Sequence, residues 1–182
     1  MKRQLFFIAT LLVAVISFSS FSGGKCKFDY DKKDEFSGKS VRYSKFTLQY
    51  KGDYTTVGAL IEYDMTVGDN SGQFYLTTDF SLAGETRELF TPSDTSLIKL
   101  ENGKIIKIVP NDEFKPTAQL MGPSVFTSWK PIFNISKAKM QKLSESPIVA
   151  IKVVYGGKEF NIKPRDSKAA KVMETAACLT SE

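Results

Sequence analysis

The sequence predicts a mainly β protein: an antiparallel two-layer β-sandwich, or a partly closed barrel, with two short helices in its C-terminal half. Three observations predict it. Apolar residues between positions 41 and 162 recur mostly with period two, the periodicity of a half-buried strand. Turn chemistry separates these runs at Gly68–Ser71, Asn102–Gly103 and Gly156–Gly157. Two late segments, 136–146 and 166–179, carry helical stripes instead.

In chain order, residues 1–22 read as a secretory signal peptide. Lys2 and Arg3 make a basic start, and Leu5–Phe18 is an apolar run of fourteen residues. A membrane-spanning helix needs about 20. Ser20 and Ser22 suit the small positions before a cut at Gly23. The mature chain is therefore expected to be exported, periplasmic or secreted, with no transmembrane segment. Residues 23–40 form a charged, glycine-containing connector, and residues 41–182 a single β-rich domain.

Val41 and Tyr43 lie on one parity and Phe46, Leu48 and Tyr50 on the other, which predicts a bulge near Ser44–Lys45. Residues 57–67 place Val57, Ala59, Ile61, Tyr63, Met65 and Val67 on one face. Residues 73–82 do the same with Phe74, Leu76, Phe80 and Leu82. A four-residue loop over 68–71 would pair Met65 with Phe74 and Tyr63 with Leu76. Residues 97–108 form a hairpin about Asn102–Gly103. Residues 148–162 form another, with Val153 opposite Phe160 and Ile151 opposite Ile162. Ser136 caps one helix, which Pro147 stops, and the last helix buries Ala169, Val172, Met173 and Ala176.

Composition excludes several chemistries. The chain has no histidine, which removes Ser-His-Asp and Cys-His nucleophiles and histidine-bound zinc, and two cysteines are too few for a structural zinc site. A net charge of +5, with acids interrupting the basic residues, gives no nucleic-acid stripe. No cofactor, no metal and no catalytic motif are expected. An even cysteine count in an exported chain reads as a disulfide, Cys26–Cys178, tying the two ends together. Lys25 directly before Cys26 fits a lipid-anchor signal poorly.

An export signal, a cysteine just after it, the entry "DEFSGKSV", a strand meander, "SWKPIFNISKAKMQKL", a hairpin and a last helix bearing a cysteine resemble a class of small exported β-rich proteins of unknown function from Bacteroidetes-type bacteria. The resemblance spans most of the chain. It implies an envelope location and a β-rich fold and carries over no site residues.

Two places could carry chemistry. Glu62, Asp64 and Asp79 share one outward sheet face, with Tyr75 and Thr77 beside them. Such carboxylates could serve as an acid–base pair on a glycoside or hold Ca²⁺, but a solvated sheet face is the preferred reading. Residues 110–124, with three prolines, read as a long loop carrying Phe114, Leu120 and Met121. Trp129 shares parity with Val125 and Phe133 and is expected mostly in the core, with a binding platform as its other reading. The leading expectation is a non-enzymatic module binding an unknown envelope protein or ligand through this loop and an adjacent sheet edge. The alternatives are a sugar-binding protein or hydrolase using the acidic face, and a carrier of a small apolar ligand.

Overall fold

The computed structural model describes residues 26–51 and 55–181, so the expected signal peptide lies outside the described residues. Two antiparallel sheets share one core. The larger sheet takes β1 (Tyr30–Lys33), β2 (Ser40–Tyr50), β3 (Leu60–Asn70), β4 (Gln73–Ala83), β8 (Ser124–Trp129) and β7 (Thr117–Met121) in that spatial order, and β9 (Ile132–Asn134) also pairs with β4. This sheet curls into a half-barrel. The smaller sheet runs β11 (Lys158–Ile162), β10 (Ile148–Tyr155), β5 (Thr95–Leu100), β6 (Ile105–Ile108). Helix α1 (Lys137–Glu145) packs on α2 (Asp166–Thr180), and α2 reaches β2 and β3 of one sheet and β10 of the other.

The mainly β class, the antiparallel sheets and the two late helices stand as the sequence predicts. The β10–β11 register is also as predicted, with Ile151 opposite Ile162 and Val153 opposite Phe160. The Ser136 hydroxyl accepts from the Lys139 amide, capping α1.

Five local details differ. The β3–β4 turn is the two-residue Ser71–Gly72, both with positive φ (52° and 89°), so Tyr63 faces Phe80 and Val67 faces Leu76. That register is four residues from the predicted one. Because the shift is even, Tyr63, Met65, Val67, Leu76 and Phe80 keep their predicted face. At the start of β3 a bulge at Ile61 buries both Leu60 and Ile61, and Val57 is 82% exposed, against the alternation expected over 57–67. Around Asn102–Gly103 the loop spans residues 101–103, since Ile98 pairs with Ile106. A two-residue loop would have set Ile98 against an outward lysine.

The bulge in β2 falls at Leu48, between the Thr47–Asp64 and Gln49–Tyr63 pairs, not near Ser44–Lys45. Tyr43 needs no bulge because β1, inside the expected connector, supplies Tyr30 to stack on it at 5.1 Å on the outer face. Finally, the second half of the expected 110–124 loop is a hairpin, with β7 over Thr117–Met121 and β8 starting at Ser124. Gly122 at φ 59° followed by proline makes a two-residue hairpin turn joining β7 to β8.

Phe80 is the centre of the core. Its ring meets Tyr63, Phe90, Trp129, Tyr155 and Phe160 at centroid distances of 5.1–6.4 Å. Two polar tips among these rings share one acceptor: Trp129 Nε1 and Tyr155 Oη both donate to the Glu88 carbonyl at 3.0 Å. Burial pushes the Tyr155 phenol up to about 12, so it remains a donor at neutral pH. The chain ends are joined by the Cys26–Cys178 disulfide, with Cα atoms 5.7 Å apart across 152 residues of sequence. Phe80→Ala is expected to lower stability by about 3–5 kcal/mol in urea denaturation, because five rings lose one shared partner. A loss under about 1 kcal/mol would mean that the neighbours collapse into the space.

Candidate functional site

The outer face of β2–β4 gathers the acidic residues. Asp64 on β3 lies directly opposite Asp79 on β4, and Glu62 lies one step on, between Tyr50 and Ser81. Like charges directly opposite repel. Lysines from both sides answer that repulsion: Lys45 Nζ sits 2.6 Å from Asp64 Oδ2 and Lys130 Nζ 3.2 Å from Asp79 Oδ2. The Asp64 hydrogen bond is the main reason Lys45 holds its proton more tightly than an ordinary lysine.

A cavity of about 350 Å³ opens here, lined by Tyr43, Lys45, Asp64, Tyr75, Asp79 and Lys130, with Thr66, Thr77 and Thr78. The expected solvated face is corrected at one position. Asp64 is only 4% exposed, and its Oδ1 has no hydrogen-bond partner. Glu62 and Asp79 remain partly exposed. Among the described residues no group of three His, Cys, Asp or Glu side chains could hold a metal ion.

Sequence reasoning placed Tyr75 next to the acids but missed why it lies there. Its ring lies over the β3 backbone at Gly68, where a Cβ would sit 2.5 Å from Tyr75 Cζ and Oη. Gly68 inside a strand is the signal that could have shown this close approach. Together with the Tyr30–Tyr43 stack, it extends an aromatic row across four strands beside the carboxylates.

The other expected site residues separate. Phe114 packs against the core and its backbone pairs with Phe90. Trp129 is 1% exposed, a core residue and no surface platform. Leu120 is 79% exposed on β7, and Met121 ends that strand opposite Ser124.

The β7 edge is open. Thr117, Ala118, Gln119 and Leu120 are all exposed, and β7 pairs only with β8. The Val125 carbonyl turns toward β4, accepting from Gly84 N at 2.8 Å, so the Leu120–Val125 pair is not hydrogen-bonded. The alternation of an antiparallel ladder then points the backbone N–H and C=O of Leu120 and Ala118 out of the sheet.

A larger cleft of about 560 Å³ lies beside the disulfide, lined by Lys27, Lys45, Lys168 and Lys171 with Asp29 and Glu174. None of the buried unpartnered side-chain atoms belongs to its lining. No protein-family model, curated protein or solved structure matches the chain.

Burial, then the nearby Asp64 and Asp79 charges, raise Glu62 above the ordinary glutamate value of 4.5, while Lys45 pulls the other way. A carboxyl raised on folding binds its proton more readily in the folded state. Its contribution to stability is present below the unfolded value and is lost as pH rises through the folded one. Glu62→Gln is therefore expected to raise the urea midpoint at about pH 7 and to leave it unchanged near pH 3. A lower midpoint at neutral pH would show that the Glu62 charge is held by a favourable partner.

Proposed function

We propose that the protein is an exported, non-enzymatic binding module that accepts an extended strand of a partner envelope protein onto the edge of β7. The observation that carries this reading is an edge strand, Thr117–Met121, with no lysine or proline inside it; Lys115 and Pro116 lie just before it. Sheet edges invite another strand, and proteins usually blunt them with lysine, proline or a covering side chain. β1 carries Lys32 and Lys33, and β11 carries Lys158. On β6 the Lys107 carbonyl is taken by Lys139 Nζ at 2.8 Å. Residues 116–129, spanning β7 and β8, contain no charge at all.

An incoming strand would bond to the outward groups of Ala118 and Leu120, and its alternating apolar side chains would meet the exposed Leu120. Export is supported by the leader pattern in residues 1–22 and is compatible with the disulfide. Among the described residues no helix is long and apolar enough to cross a membrane. The interior of the half-barrel is filled by Tyr63, Phe80, Phe90 and Trp129, so it offers little to the ligand-carrier alternative. Catalysis has little to work with on the acidic face, where Asp64 and Asp79 each pair with a lysine.

A photo-crosslinking residue at position 120 in the native cells should join the chain to one partner, whose purified form should then bind the protein directly. Ala118→Pro removes one outward N–H and leaves the β7–β8 ladder intact. It should weaken that binding by about tenfold or more while the thermal midpoint moves little. Crosslinks only between copies of this chain, or binding unaffected by the proline, would overturn the reading. Export is checked by intact mass. The expected product is soluble, starts near Gly23 and gains about two mass units on reduction. A membrane-bound product starting at an acylated Cys26 would refute the soluble form.

A further inference from the structure

We propose that the cavity between Tyr43, Tyr75, Lys45, Lys130, Asp64 and Asp79 binds one unit of a neutral saccharide, independently of the β7 edge. Three observations select this ligand class. First, Asp64 Oδ1 is a buried acceptor without a donor in a cavity-lining residue that is 4% exposed. A buried carboxylate oxygen left unpaired is costly, so the site calls for a hydrogen-bond donor.

Second, the charges of the lining balance. Lys45 answers Asp64 and Lys130 answers Asp79. An incoming anion meets two carboxylates and an incoming cation meets two ammonium groups, whereas a neutral molecule disturbs neither pair. The remaining polar atoms belong to threonine and tyrosine hydroxyls, which both donate and accept. A ligand bearing several hydroxyls suits that mixture.

Third, the aromatic row supplies an apolar wall. Tyr75 is held in place by the missing side chain at Gly68, and Tyr43 is stacked on Tyr30. A sugar ring presents polar hydroxyls at its rim and C–H groups on its face, so it can use the carboxylate and the tyrosines at once. The cavity volume of about 350 Å³ lies at the low end of ordinary ligand sites. That size suits a single sugar unit with the rest of a chain running out over the open sheet face.

The test is an amide NMR titration of the purified protein with methyl glycosides of glucose, galactose, mannose and N-acetylglucosamine. Calcium chloride and inorganic phosphate serve as charged probes. At least one glycoside should shift the amides of Thr66, Tyr75 and Thr77, saturating in the millimolar range. Asp64→Asn should weaken that binding by about tenfold or more. Lys130→Gln, at an exposed side chain, should also weaken it and serves should Asp64→Asn fail to fold. Ala118→Pro should leave it unchanged. No shift with any glycoside, equal binding by Lys130→Gln, or shifts at these amides with calcium or phosphate alone would overturn the proposal.

Discussion

One carbonyl oxygen sets the terms for the whole core. The Glu88 carbonyl lies in the segment that carries the chain from the larger sheet to the smaller, and it accepts from Trp129 on one and Tyr155 on the other. Without it, two large rings with polar tips could not be buried side by side at 4.6 Å between centroids. With it, each sheet contributes an aromatic anchor to one shared cluster around Phe80. The crossover is fixed as well: Phe90 pairs with Phe114, and Asp94 accepts from the Thr91 amide and from Gly156 at the β10–β11 turn. The two layers are therefore joined by polar geometry as well as by apolar area.

That arrangement explains which features were legible in the sequence. Face assignment rests on period two, and a register error by an even number of residues does not disturb it. The β3–β4 hairpin shows this, since Tyr63, Met65, Leu76 and Phe80 all point inward despite a register four residues from the expected one. Where hydrophobic parity and turn preference disagreed, parity decided the loop length, as at residues 101–103. Periodicity failed where a side chain found its partner on the outer face. Parity alone sends Tyr43 to the core, because its partner Tyr30 on β1 sits in a stretch whose charge and glycine content read as a connector. The β7 strand was hidden differently: three prolines surround a short run with little alternation, and only Gly122 marked the turn.

The candidate site was half legible for the same reason. Alternation placed Glu62, Asp64 and Asp79 on one face, and the structure keeps them there. It could not show that the neighbouring lysines and tyrosines enclose Asp64, because Lys45 comes from β2 and Lys130 from the link between β8 and β9, and where these lie against β3 and β4 depends on tertiary pairing. Outward-facing on a strand is not the same as solvated. A face turned from the core can be enclosed by its own long side chains, and here that leaves a carboxylate oxygen both buried and unpaired.

The two ends of the larger sheet differ in a way that follows from the disulfide. Cys26 lies just before β1 and is joined to Cys178 on α2, which packs against β2, β3 and β10. Closing so long a loop contributes roughly 5 kcal/mol in the chain-entropy view. Its local effect is to hold the arm that delivers β1. With Phe28 packed on the core and Asp29 accepting from the Lys45 amide at 2.8 Å, β1 is anchored as a short, charged edge strand. The opposite edge has no such clamp. β7 hangs from β8 alone, exposed and uncharged, so the same sheet is closed at one side by covalent chemistry and left able to pair at the other. β8 stands between that edge and β4, and its last residue, Trp129, makes the bond to the Glu88 carbonyl that helps join the two layers, so β7 is one strand removed from the aromatic core.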